Sequence, residues 1–246
     1  MKVAGVFDSG IGGLTVLKSL YEHKLFEKII YYGDTARVPY GSKDKNTIIR
    51  YALEAIEFFK NFEIDILIVA CNTVSAYALK EMQEVAPFKV VGVIEAGVKA
   101  TQNSVSNDSE VLVIGTKATV NSNLYSQLLR QKNYNNINAI ATPLFVSIVE
   151  EDLEESAILD TTIEHYFKDI KHPDCIILGC THFPLIAEQL SNYFTNTKLI
   201  HSGEAIVEQL MEYDVKSRYN ETKLEFFASE NPDRVKEIAQ KWIGYV

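Results

Sequence analysis

The sequence predicts an α/β protein built from two similar lobes, whose parallel-rich sheets are flanked by helices and related by a pseudo-twofold axis. Short apolar runs alternate with stretches of helical spacing, which is typical of parallel sheets covered by helices. Residues 64–73 and 173–182 resemble each other, since each contains an Asp, an aliphatic run, a small residue and a cysteine. A chain of 246 residues is also long enough for two lobes of roughly 100 residues each.

The predicted strands are short apolar runs bounded by Gly or Asp. In chain order they are residues 3–7, 28–32, 65–70, 89–94, 110–114, 137–141, 174–179 and 197–200. Most are followed by helical spacing, and the clearest helix is predicted over residues 46–62, where Ile49, Leu53 and Ile56 recur at three- to four-residue steps. This helix is expected to cover the core. Residues 111–116 restart the pattern of residues 3–9, which again indicates duplication.

Composition and charge narrow the class of protein. The hydrophobic fraction of 47% and charged fraction of 23% are typical of a globular chain, and the net charge of −9 makes nucleic-acid binding unexpected. Asp8 interrupts the N-terminal apolar run too early for a signal peptide, and no apolar stretch is long enough to cross a bilayer. The three cysteines are widely spread, which favours free thiols in a cytoplasmic protein.

Hydrogen-bonding residues cluster where the predicted strands end. In open α/β sheets, ligands lie beyond the carboxyl ends of the strands, so these residues are expected to line one cleft. They are Asp8, Ser9 and Gly10; Cys71, Asn72 and Thr73; Thr116 and Thr119; and Cys180, Thr181 and His182. The glycine-rich turn at residues 8–13 matches neither a dinucleotide fingerprint nor a Walker A loop. By itself it indicates a tight strand-to-helix turn.

The three cysteines divide into two kinds. Cys175 lies within an aliphatic run and is interpreted as an inert core residue. Cys71 and Cys180 end their strands and precede predicted helix starts, where Asn72 and Thr181 offer capping oxygens. Because a helix N-terminus favours a thiolate, we expect a lowered pKa and reactivity at both thiols.

Four uses of these thiols compete. A redox disulfide normally shows a local Cys-x-x-Cys, which is absent, although distant cysteines also pair. Zinc would require Cys175, Cys180 and His182 together, but a strand directs Cys175 away. Nucleophilic catalysis by Cys180 with His182 leaves Cys71 unexplained. Proton transfer by both thiols, one on each face of a carbon, accounts for the symmetry, provided that the site stabilises the developing carbanion.

Five segments together resemble the glutamate racemases, which interconvert L- and D-glutamate without a cofactor and supply D-glutamate for peptidoglycan. They are residues 7–14, 32–41, 70–73, 115–119 and 179–185. The resemblance spans nearly the whole chain. It implies a first lobe of residues 1–94 with a returning segment 207–246, a second lobe of residues 95–206, and the active site in the cleft between them. It also implies a cytoplasmic homodimer that needs no metal.

The resemblance assigns roles to individual residues. Cys71 would act on D-glutamate and Cys180 on L-glutamate, with Asp8, Glu150 and His182 as auxiliary groups that tune the thiols or order the substrate. Substrate binding would involve Asp8, Ser9, Tyr40, Gly41, Asn72, Thr73, Thr116, Thr119, Thr181 and His182.

Residue-level alternatives remain beside these assignments. The acidic run at residues 150–152 is typical of a solvated helix start, and only the resemblance gives Glu150 a role. Lys117 near threonines is weak evidence for a Schiff-base lysine, and a solvated or substrate-steering charge is the better interpretation. At the level of function, the alternatives are a racemase or decarboxylase for aspartate or another small acid, a small-acid binding or redox-sensing module, and a zinc-binding structural protein.

Overall fold

The computed structural model describes residues 1–212 and 219–244, and within them the chain forms two parallel sheets. The strands are Val3–Asp8 (β1), Lys28–Gly33 (β2), Ile66–Val69 (β3), Lys89–Gly92 (β4), Val111–Gly115 (β5), Ile137–Ala141 (β6), Cys175–Gly179 (β7), Lys198–His201 (β8) and Lys223–Ala228 (β9). The first sheet has the order β4-β3-β1-β2-β9 and the second β6-β5-β7-β8. The predicted α/β class and all eight predicted strands are confirmed.

The two sheets share one topology. Followed from its β8 edge, the second sheet has the order β8-β7-β5-β6, which repeats the arrangement β4-β3-β1-β2 of the first. β3 and β7 are therefore equivalent, and Cys71 and Cys180 follow them at equivalent places. The internal resemblance read from the sequence thus corresponds to a structural duplication.

The strand β9 was not predicted from the sequence. It joins the edge of the first sheet beside β2, with Lys28 opposite Lys223 and Gly33 opposite Ala228. Its burial pattern is mixed, because an edge strand is only partly covered. Charged Lys223 and Glu225 interrupt the apolar run that marks the buried strands.

Helices connect and cover the strands. They are Leu14–Glu22 (α1), Lys45–Phe59 (α2), Asn72–Tyr77 (α3), Leu79–Val85 (α4), Val93–Ser104 (α5), Lys117–Asn121 (α6), Leu124–Gln131 (α7), Leu144–Glu150 (α8), Ala157–Phe167 (α9), Ala187–Tyr193 (α10), Ser202–Glu212 (α11) and Pro232–Ile243 (α12). The predicted helix 46–62 corresponds to α2, which begins one residue earlier and ends at Phe59. Asp44 caps it by accepting the Thr47 N–H at 3.0 Å.

The core follows the two-residue period of the strands. One face of each sheet contributes to a single cluster shared by both sheets, which includes Ile68 of β3 and Ile177 of β7. The opposite faces form separate clusters under α2 and under α8 with α9. Because α11 also packs on both α1 and α5, apolar contacts join the two halves extensively.

The lobe boundaries inferred from the resemblance, residues 1–94 with 207–246 and residues 95–206, stay a prediction. Residues 213–218 and 245–246 of the returning segment lie outside the described residues. In the described part of the chain, no helix combines the length and the apolar character needed to cross a membrane.

Candidate active site

A cavity of about 210 Å³ opens between the carboxyl ends of the two sheets, and we call it the interlobe cleft. Most of the predicted site residues line it: Ser9, Tyr40, Gly41, Cys71, Asn72, Thr73, Thr116, Cys180, Thr181 and His182. Asp8, Thr119 and Glu150 do not line it but contact residues that do. Both strand-end thiols therefore face one space, as the strand-end rule predicts.

Cys71 occupies the N-cap position of α3 without a side-chain capping hydrogen bond, and its Sγ lies 3.4 Å from the Ser9 Oγ. The side chain is buried, with 5% of its surface exposed. Burial, followed by the nearby Asp8 carboxylate, raises the pKa of the Cys71 thiol to about 12. The expected lowering of this pKa is therefore wrong, because desolvation and a neighbouring negative charge outweigh the short helix.

Cys180 has a different environment. The chain after β7 turns into a 3-10 helix at Phe183–Ile186, so the expected α-helix start is replaced by a tighter turn. The Cys180 Sγ lies 3.7 Å from His182 Nδ1, and His182 Nε2 lies 2.7 Å from Glu150 Oε1. Burial opposes the charge on His182, but hydrogen bonds with Cys180 and Glu150 outweigh it and raise the His182 pKa to about 10. The histidine thus links one thiol to a carboxylate.

Asp8 lies behind the cleft and is fully buried. Its carboxylate accepts the Gly10 N–H at 3.0 Å and the Thr181 hydroxyl at 3.4 Å, so it connects the two sheets. Burial raises the Asp8 pKa. The glycine-rich turn allows this close packing, since a Cβ on Gly12 would lie 2.4 Å from the Thr181 Oγ1 and one on Gly13 2.4 Å from the Asp8 Cβ.

Three threonines form a hydroxyl cluster between the lobes. The Thr73 Oγ1 lies 2.9 Å from the Thr116 Oγ1 and 3.3 Å from the Thr119 Oγ1. Thr116 also caps α6 by accepting the Thr119 N–H at 3.1 Å. Thr119 therefore orients the two hydroxyls that face the cleft. Its own contact with substrate stays a prediction.

The Tyr40–Gly41 turn closes one side of the cleft. The Tyr40 hydroxyl donates to Asp34, whose carboxylate also contacts Arg37 Nε at 2.7 Å. A Cβ on Gly41 would lie 2.5 Å from the Thr116 Cβ, so glycine allows the two lobes to meet here.

The Asn72 side chain is held by the opposite lobe. The Tyr125 hydroxyl donates to Asn72 Oδ1 at 2.7 Å, and Asn72 Nδ2 donates to the Ser202 Oγ at 3.1 Å. All three residues are buried. The sequence motifs do not single out Tyr125 or Ser202, because neither lies in a strand-end motif adjacent to the cysteines. We call this group the Asn72 tie.

Part of the cleft wall was not predicted from the sequence. Val38, Pro39 and Ser42 come from the loop before α2, and Pro143, Val146 and Ser147 from the start of α8. The α8 residues follow the end of β6, so the strand-end rule applied to that strand would have located them. Lys117 also lines the cleft and is exposed, which fits a charge that attracts anionic substrates.

Cys175 packs into the shared core with its side chain fully buried, whereas Cys180 belongs to the cluster under α8 and α9. The two sulfurs therefore lie in different core clusters, Cys175 within β7 and Cys180 directly after its end. This placement confirms the interpretation of Cys175 as a core residue and separates it from Cys180 and His182 as a zinc ligand. Within residues 1–212 and 219–244, no group of three or more His, Cys, Asp or Glu side chains is arranged to hold a metal.

Comparison with known proteins fits this geometry. The sequence model described as Asp/Glu/Hydantoin racemase matches residues 19–210. The chain belongs to this racemase family. Among its racemase relatives, the glutamate racemase of a Nitratiruptor species is 62% identical over 98% of this chain and 96% of its own length.

Solved racemase structures show the same fold. The crystal structure of glutamate racemase from Campylobacter jejuni superposes with a TM-score of 0.98 at 54% identity, covering 99% of both chains. That of Francisella tularensis glutamate racemase in complex with D-glutamate gives 0.86 at 34% identity, covering 99% of this chain and 94% of the other. The fold similarity therefore extends along essentially the whole racemase chain.

Proposed function

We propose that this protein is a glutamate racemase that interconverts L- and D-glutamate by two-thiol acid/base catalysis without a cofactor. The observation that carries the proposal is the placement of Cys71 and Cys180 after equivalent strands of a duplicated fold, both lining one cleft. A stereocentre is inverted when one group removes a proton from one face and another returns a proton to the opposite face. Two thiols on two walls match that requirement.

The reaction requires one thiolate and one thiol at a time. In the L-to-D direction, the Cys180 thiolate removes the α-proton and the Cys71 thiol protonates the opposite face; the reverse direction exchanges these roles. The developing carbanion would be stabilised by hydrogen-bond donors around the cleft, including Ser9, Thr73 and Thr181. The Asp8 carboxylate would tune the acidity of the Cys71 thiol. The His182–Glu150 pair would tune the acidity of the Cys180 thiol.

The choice of glutamate rests on the relatives, together with the exposed cation of Lys117 at the cleft. The roles of Tyr40, Gly41, Asn72, Thr116 and Thr119 in holding the substrate belong to the same proposal. So do a homodimeric state, a cytoplasmic location and the supply of D-glutamate for peptidoglycan.

Circular dichroism of L- and D-glutamate with metal-free, cofactor-free protein tests the activity directly. We expect both enantiomers to reach a racemate and solvent deuterium to enter the α-position. Cys71→Ser and Cys180→Ser should each nearly abolish interconversion, whereas the control Cys175→Ser should racemise glutamate. Full activity in either cleft variant would refute the two-thiol assignment, and faster turnover of aspartate would refute the substrate.

A further inference from the structure

One wall of the interlobe cleft is a loop between β2 and α2. Residues 38–42 line the cleft there in unbroken succession, and we call them the wall loop. Among these five residues, Tyr40 alone is buried, with 1% of its surface exposed. The Tyr40 side chain is therefore the anchor that holds the wall loop against the protein.

The Tyr40 hydroxyl is engaged on the side away from the cleft. It donates to the carboxylate of Asp34, a residue that does not line the cleft. Burial and this hydrogen bond raise the pKa of Tyr40, so the hydroxyl keeps its proton and remains a donor. Since its single proton is given to Asp34, the hydroxyl holds the wall loop and is not free to donate to a substrate.

The Asp34 carboxylate depends on Arg37. Asp34 is 1% exposed, and its Oδ2 accepts both the Tyr40 hydroxyl and the Arg37 Nε–H, the latter at 2.7 Å. Within the described residues, its Oδ1 has no hydrogen-bond partner. Because a buried carboxylate without a counter-charge is strongly unfavourable, Arg37 stabilises the acceptor on which the Tyr40 anchor depends.

Arg37 is itself held by α2. One guanidinium nitrogen contacts the Glu54 carboxylate, and the guanidinium carbon lies 4.1 Å from the centre of the Tyr51 ring. Burial opposes the charge on Arg37, but hydrogen bonds with Glu54 and Asp34 outweigh it and raise the Arg37 pKa. The planar guanidinium thus bridges two carboxylates, although Arg37 does not line the cleft.

We propose that Arg37 is a positioning residue, which fixes the Asp34 carboxylate and thereby holds the wall loop where glutamate binds. The inference rests on the proposed function, in which Tyr40 and Gly41 hold the substrate. A Cβ on Gly41 would lie 2.5 Å from the Thr116 Cβ, so the wall loop packs directly on the second lobe. A displaced loop changes the shape of the cleft without altering the surroundings of either thiol, and the effect therefore falls on substrate binding.

The steady-state kinetics of Arg37→Gln test this role. We expect KM for L- and D-glutamate to rise about tenfold while kcat changes less than about twofold, because the variant loses binding that substrate and transition state share. This rise is smaller than the loss of about 100-fold that a misplacement of about 1 Å can cause. Arg50→Gln is the matched control, since exposed Arg50 also lies over the Tyr51 ring, at 4.9 Å, but Asp34 contacts Arg37 instead.

A double-mutant cycle distinguishes positioning through Tyr40 from a general structural role. Tyr40→Phe removes only the anchoring hydroxyl and should also raise KM. If Arg37 acts through Asp34 on this hydroxyl, the double variant should have a KM within about twofold of that of Tyr40→Phe, whereas independent effects would multiply. The cycle is measured for glutamate in both directions.

The conservative variant and a rescue experiment complete the test. Arg37→Lys keeps the charge but not the planar fork, so its KM should lie between those of the unaltered protein and Arg37→Gln. In Arg37→Ala, guanidinium chloride at low millimolar concentration should lower KM again, and sodium chloride should not. Thermal unfolding checks that each variant is folded, and Arg37→Lys takes the place of Arg37→Gln in the cycle if the latter is not.

The outcomes separate the two proposals. If the unaltered protein racemises glutamate and Arg37→Gln has the same KM as Arg50→Gln, the positioning role is refuted and the racemase activity stands. A multiplicative KM in the double variant, or a fall in kcat without a rise in KM, equally refutes positioning through Tyr40. If the unaltered protein does not racemise glutamate, the proposed function itself fails.

Discussion

Removing one hydroxyl from the Asn72 tie is expected to disturb catalysis and stability together. Tyr125→Phe deletes the donor that lies 2.7 Å from Asn72 Oδ1 and leaves that buried oxygen without this bond. An unsatisfied buried polar group costs about 1–3 kcal/mol. For a protein of this size, that corresponds to a Tm lower by about 2–4 °C per kcal/mol.

The effect on activity follows from the position of Asn72. It directly follows Cys71, and its amide is held by Tyr125 and Ser202 from the opposite lobe. Releasing this amide allows the Cys71–Asn72 peptide to move relative to Cys180. We expect kcat for racemisation to fall about tenfold, equivalent to about 1.4 kcal/mol of activation free energy.

Tyr134→Phe provides the matched control. Tyr134 is also a buried tyrosine, whose hydroxyl donates to Val105 O at 2.9 Å and to Thr101 O at 3.3 Å, and it does not line the cleft. Both variants should lose similar stability in thermal unfolding, but only Tyr125→Phe should lose kcat in the circular dichroism assay. Equal kcat values for the two variants would refute a positioning role for the tie.

Two further predictions concern His182 and Cys175. Because the native state raises the His182 pKa from 6.5 to about 10, the native protein binds this proton more tightly than the unfolded chain does. The resulting stabilisation is present below pH 6.5 and is lost as pH rises through the folded pKa. Denaturant unfolding between pH 7 and 8.5 should show a decline in stability up to about 1.4 kcal/mol per pH unit steeper than in His182→Gln, and parallel curves would contradict it. Cys175→Ala should lower the free energy of unfolding by about 1 kcal/mol and leave racemisation intact, and loss of activity in a folded variant would contradict its core role.

Sequence patterns located the buried strands and the strand-end residues well, because parallel strands read as continuous apolar runs and their ends converge on one edge. The edge strand β9 was not predicted, because Lys223 and Glu225 interrupt the apolar run that marks the buried strands. The Asn72 tie was not predicted, because Tyr125 and Ser202 are distant from Asn72 in the sequence and contact it only in the folded structure. The thiol pKa was misjudged for Cys71, since sequence shows a possible helix start but not burial beside Asp8.

The unequal surroundings of the two thiols are consistent with a reversible reaction. A two-base racemase must hold one thiol and one thiolate in each half-cycle, so identical environments would leave the starting state undefined. Asp8 and burial favour the neutral thiol at Cys71, whereas the Cys180 Sγ lies 3.7 Å from His182 Nδ1. The duplicated fold places the two sulfurs after equivalent strands, and the different residues behind them, Asp8 on one side and the His182–Glu150 pair on the other, give the two thiols of the proposed reaction different environments.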